Sequence, residues 1–124
     1  MAASGKQVGG RRGIGYIYPM ITRAITRAEV ASYLANAEAE ILGLGVRRLA
    51  LFGSVQRDAA RADSDVDLLV EFETGQKSYD RFIALAELLE RLLSRPVELV
   101  TTESLSPFLK SYILAEAQDV VRAA

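Results

Sequence analysis

Cysteine and histidine are both absent from the 124 residues. Without cysteine there can be no disulfide, no thiolate zinc site and no thiol nucleophile. Without histidine there is no imidazole base, no serine–histidine pair and no histidine metal ligand. Any catalysis must therefore run on carboxylates, hydroxyls, Lys and Arg side chains and a bound metal ion. An excess of either charge is also missing: 15 basic residues face 16 acidic ones, for a net charge of −1. That balance gives no general polyanion-binding surface, so direct nucleic-acid binding is not expected. No apolar run approaches the roughly 20 residues of a membrane span. The basic, glycine-rich start lacks the apolar core of a signal peptide, and the expected location is cytoplasmic.

What remains is ordinary for a globular protein, with 50% hydrophobic and 25% charged residues. The length suits one domain with a real core. Residues 1–19 contain five of the nine glycines, Lys6, Arg11 and Arg12, and no acid. They read as a disordered tail, with a basic arm touching nucleic acid or a chain start near Met20 as alternatives. The folded domain is expected over residues 20–124.

The chain is organised around residues 53–67. An apolar run, Leu49 to Phe52, drives into Gly53-Ser54, and ten residues later Asp65 and Asp67 open a second apolar run, Leu68-Leu69-Val70. Alternation predicts a strand from Asp65 to Phe72, with Val66, Leu68, Val70 and Phe72 on one face. Asp65, Asp67, Leu69 and Glu71 take the other. Two carboxylates on one face oppose each other's ionisation, a cost that a divalent cation removes. Hard oxygen ligands suit magnesium, with manganese possible.

Gly53-Ser54 follows a strand and precedes a short helical turn predicted over Val55–Ala60. Glycine permits close approach of the backbone to a ligand, and N–H groups at a helix start favour anions. Ser54 adds a hydroxyl and Arg57 a guanidinium fork for phosphate. One half of the stretch is thus shaped for phosphate and the other for metal. Gly-Ser, ten residues and Asp-x-Asp coincide by chance in about one chain of this length in several hundred. The joint pattern is therefore informative where either half alone is not.

The rest of the chain reads as support for these two pieces. Thr26 to Glu29 is a capping box. Val30, Tyr33, Leu34, Ala37, Ile41 and Leu44 then predict one helix, ended by Gly43 and Gly45. A strand follows over Leu49–Phe52. Beyond the polar loop 74–78, Phe82, Leu85, Ala86, Leu89, Leu92 and Leu93 form an amphipathic stripe stopped at Arg95-Pro96. Val97 to Val100 is a third strand, and its Glu98 is costly in such a place unless paired or bound to metal. Ser106-Pro107 opens a last helix, predicted to run through Phe108, Tyr112, Ile113, Ala115 and Val120. Glu103, Lys110, Glu116 and Asp119 read as solvated surface. The element order predicts an α/β sandwich with a small mixed sheet packed with helices.

Gly53-Ser54, Asp65-x-Asp67 and the phrase Arg95-Pro96-Val97-Glu98-Leu99-Val100 resemble the nucleotidyltransferase superfamily, in particular its minimal branch. The resemblance covers about residues 26–121. It implies the nucleotidyltransferase fold and transfer of AMP from ATP to a protein hydroxyl. Asp65, Asp67 and Glu98 would be catalytic and hold two magnesium ions. Gly53, Ser54 and Arg57 would hold the β- and γ-phosphates. It also implies a partner, a HEPN-domain toxin in a hetero-oligomer, silenced by adenylylation of a tyrosine. The family more often has aspartate at the place of Glu98. It also has small residues around the arginine, where this chain has Gln56 and Asp58, so Asp58 would add negative charge near the phosphates. Two other readings remain open: an idle antitoxin acting by binding alone, and a transferase for a small molecule or RNA end.

Overall fold

The structure, a computed structural model, describes residues 23–124. The proposed tail, residues 1–19, lies outside the described residues, as do 20–22. Thr26 opens α1 (Arg27–Ala35) with the expected capping box: its hydroxyl accepts the Glu29 N–H, and the Glu29 side chain accepts the Thr26 N–H. Arg23 adds a double hydrogen bond to the Glu29 carboxylate. That charge pair holds the Glu29 carboxyl down at about 2.

The predicted single helix is two. The chain turns at Asn36-Ala37 and resumes as α2 (Glu38–Leu42). Asparagine is weak inside a helix and good at its end. The bend brings Ile41 into the same buried cluster as Val30 and Leu34, while Tyr33 is left 46% exposed. Tyr33 therefore does not share the core stripe assigned to it, whereas Ala37, partly buried, packs against the cluster.

Strand β1 (Val46–Phe52) leads directly into α3 (Gly53–Gln56), which begins earlier and ends sooner than the expected turn over Val55–Ala60. Its limit is Asp58, which takes a left-handed conformation (φ 54°). The Asp58 carboxylate accepts the backbone N–H of Arg27 at 2.9 Å, tying the corner to the start of α1.

Strand β2 (Val66–Phe72) is antiparallel to β1 and parallel to β3 (Val97–Thr101). The crossover between the parallel strands is α4 (Tyr79–Leu93), capped by the Ser78 hydroxyl and ended by Ser94 in a left-handed conformation. After a 3₁₀ turn, Thr102–Ser104, come α5 (Pro107–Glu116) and then β4 (Gln118–Arg122). The sheet order is β3-β2-β1-β4.

Strand β4 corrects the expectation that α5 continues through Val120. Val120 and Val121 suit a strand, and the exposed edge of β1 supplies the partner, pairing Leu49 with Val121 and Leu51 with Gln118. Asp119 is likewise no free surface charge: it bonds Arg48 Nε at 2.5 Å and Arg122 Nη1 at 2.7 Å.

Alternation assigns each strand residue to a face. Leu49, Leu51, Val66, Leu68, Val70, Val97, Leu99 and Val121 join the buried cluster with Val30, Leu34, Leu85, Leu89 and Leu93 from the helices. The opposite face carries Asp67, Leu69 and Glu71 of β2 and Glu98 and Val100 of β3. Burial of the first face supplies most of the folding free energy. The second buries Leu69 and carries the acids.

Candidate active site

The parallel register sets Asp67 of β2 directly beside Glu98 of β3. On the other flank, Asp67 pairs with Phe52, so Gly53 lies at its side. Gly53 takes φ 79°, a left-handed conformation costly for other residues. A side chain at position 53 would overlap the Asp67 Oδ2 atom and lie 2.9 Å from its Cγ. Glycine is therefore required twice, by the turn and by the carboxylate lying against it. The Gly-Ser corner and the Asp-x-Asp strand, ten residues apart in sequence, form one structure.

Asp65 immediately precedes β2 and acts on Asp67 electrostatically. Burial first, then the charges of Glu98 and Asp65, push the Asp67 carboxyl up to about 7, against the opposing pull of Arg57. Ser54 is the second residue of α3 and half-buried. Arg57 ends that turn, with its side chain 53% exposed.

Glu116, read from sequence as solvated surface, enters this corner from the end of α5. Its Oε2 accepts the Gly53 N–H at 2.5 Å. Its two oxygens accept Arg57 Nη1 at 2.9 and 3.1 Å. Only 18% of its side chain is exposed, and its charge also raises Asp67. No local signal marks it, because a glutamate at a helix end is usually solvated. Its partners lie 59 and 63 residues away.

Asp58, expected to burden phosphate binding, is directed instead to α1. Besides the Arg27 N–H, it faces the Arg27 guanidinium at 3.6 Å. Gln56 is 7% exposed, and its carbonyl accepts Arg27 Nη1. The Asp58 side chain thus serves the corner's structure, while Gln56 contributes its backbone carbonyl.

The fit for a divalent cation rests on donor chemistry. Asp65, Asp67 and Glu98 supply only hard oxygens, and burial together with the charges of Glu98 and Asp65 holds Asp67 partly protonated near neutral pH. Among the described residues no three or more acids gather into a cage that could hold a metal ion by themselves. Magnesium needs no such cage, because it commonly takes one or two carboxylates together with substrate phosphates and water.

A mixed sheet that sets two carboxylates beside a Gly-Ser corner is the arrangement that the resemblance to nucleotidyltransferases implies. Residues 34–120 match the nucleotidyltransferase domain family, and the chain belongs to it. It is 41% identical over 93 residues to the protein adenylyltransferase MntA of Thermococcus cleftensis, covering 74% of this chain and 93% of that one. It is 41% identical over 81 residues to a protein of Methanocaldococcus jannaschii assigned as a protein adenylyltransferase, covering 65% and 86%. Among solved structures, one assigned to a minimal nucleotidyltransferase superposes with a TM-score of 0.61 at 38% identity, over 74% of this chain and 89% of that one. A toxin–antitoxin complex with AMP-PNP gives 0.55 at 23% identity, over 69% and 73%, a likeness of fold alone.

Proposed function

We propose that this nucleotidyltransferase is an antitoxin that moves AMP from magnesium-bound ATP to a tyrosine hydroxyl of a HEPN-domain toxin and silences it. The observation that carries the chemistry is the Asp67–Glu98 pair beside Gly53. The two relatives assigned as protein adenylyltransferases support a protein acceptor.

Asp65, Asp67 and Glu98 would hold the metal ions, which when bound stabilise the entering and leaving oxygens of the displacement. Arg57 and Ser54 would orient the β- and γ-phosphates, with Gly53 keeping the backbone close. The tyrosine oxygen attacks the α-phosphorus, the bond from that phosphorus to the α–β bridging oxygen breaks, and pyrophosphate leaves. Glu98 takes the tyrosine proton as the new phosphodiester forms.

The test is the intact mass of both chains after incubating the protein with ATP, magnesium and its candidate HEPN partner. One or more AMP units on the partner, abolished by Asp65→Asn, is the expected result. An unmodified partner in a tight, silenced complex would instead establish an antitoxin that acts by binding alone. Replacing Glu98 with Asp should keep measurable transfer, whereas Glu98→Gln should remove it.

A further inference from the structure

The end of α5 is fastened to the strand-to-helix corner by one carboxylate. Glu116 takes the Gly53 N–H and one nitrogen of Arg57. These are donors that the reading above assigns to phosphate. A carboxylate and a phosphate oxygen pair make similar charge-assisted contacts with a guanidinium. We infer that Glu116 holds the place of a nucleotide phosphate, and that the incoming triphosphate displaces it and releases α5. The inference rests on the phosphate reading of Gly53 and Arg57.

Two features of the fold favour displacement over accommodation. Asp65, Asp67 and Glu98 already crowd this face with negative charge, so a fourth carboxylate opposes an arriving triphosphate. And α5 is lightly held: none of its residues is buried, with Phe108 79% and Tyr112 64% exposed. Moving it uncovers no core. Arg57 and Gly53 exchange one anion for another, while α5 loses a principal anchor. Nucleotide occupancy is thereby linked to the position of a helix 63 residues further along the chain.

Calorimetry on the full chain tests this, with magnesium and α,β-methylene-ATP, whose α–β bridge resists cleavage, and with magnesium pyrophosphate as the minimal probe. Glu116→Gln and Glu116→Ala should bind both probes roughly tenfold more tightly than wild type. Nucleotide should raise amide hydrogen exchange over residues 107–118 in wild type. In Glu116→Ala that exchange should already be raised without nucleotide. Tighter binding with unchanged exchange would reduce Glu116 to a source of general repulsion and overturn the displacement. Weaker or unaltered binding would make it a support for Arg57 and overturn it equally. A wild type that binds neither probe, or an Arg57→Ala variant that binds as wild type does, would sink the phosphate reading and the inference with it.

Discussion

At Asp67 the needs of folding and of chemistry conflict, and pH exposes the conflict. Burial and neighbouring carboxylates raise its carboxyl to about 7, against 3.8 ordinarily. Between those values the folded chain holds a proton that the unfolded chain releases. Stability therefore falls as pH rises from about 4 to about 7, and the penalty is constant above that window. In EDTA, urea unfolding at pH 5 and pH 8 should differ by about 1 to 3 kcal/mol from this residue, allowing for its partial exposure. Asp67→Asn should remove that difference and abolish transfer. Magnesium should stabilise the wild type more at pH 8 than at pH 5, since it binds the ionised form. The neighbouring Gly53→Ala meets both a left-handed backbone and the Asp67 carboxylate. It should cost at least about 1 kcal/mol in stability and roughly 100-fold in transfer rate by misplacing Asp67. Equilibrium unfolding and the transfer assay read the two effects separately.

Among the elements, α4 and β3 are joined by a residue whose role the helical stripe conceals. Glu90 is fully buried, and its Oε2 accepts the Val97 N–H at 3.0 Å, fixing where β3 starts. That start sets the register pairing Asp67 with Glu98. Glu90→Ala leaves a buried N–H without its acceptor and a void, and should cost about 2 to 4 kcal/mol in urea unfolding. Glu90→Gln keeps the acceptor and should cost less. At the other edge, β4 covers β1 through backbone pairing, buried Val121 and the Arg48–Asp119 ion pair. Deleting residues 118–124 should open that edge and produce concentration-dependent association on size exclusion.

On the scale of the whole molecule, one sheet separates stability from chemistry. Its core face packs against the helices, while its other face holds the acids and the ionic links of Arg48 to Glu71 and Asp119. Substitutions of the acids on the second face should therefore remove activity without unfolding the chain. Under the proposed function, the double variant Asp65→Asn with Asp67→Asn should still bind the candidate HEPN partner on size exclusion yet leave its toxicity uncontrolled. Retained control would show that transfer is dispensable.

The elements legible in sequence were those written in local periodicity. The capping box at Thr26, the α4 stripe, the alternation after Asp65 and the Ser106-Pro107 start depend on residues within a few positions of one another. Their hydrogen-bond partners and apolar faces recur at fixed offsets. The Gly-Ser and Asp-x-Asp pattern was legible in its ten-residue spacing, while the pairing of Phe52 with Asp67 brings its halves together. Strand β4 was not, because Gln118 to Arg122 is a strand only once the edge of β1 is beside it. The break at Asn36 answers to where Ile41 must pack. Asp58 looked like a burden on the site until α1 supplied its partner, Arg27. Glu116 is the clearest case: its backbone is the end of an ordinary helix. What makes it part of the site is a hydrogen bond and an ion pair to groups about sixty residues away. Periodicity determines which face of an element is apolar. Only the packed fold determines which distant charges meet, because that depends on how the elements close upon one another.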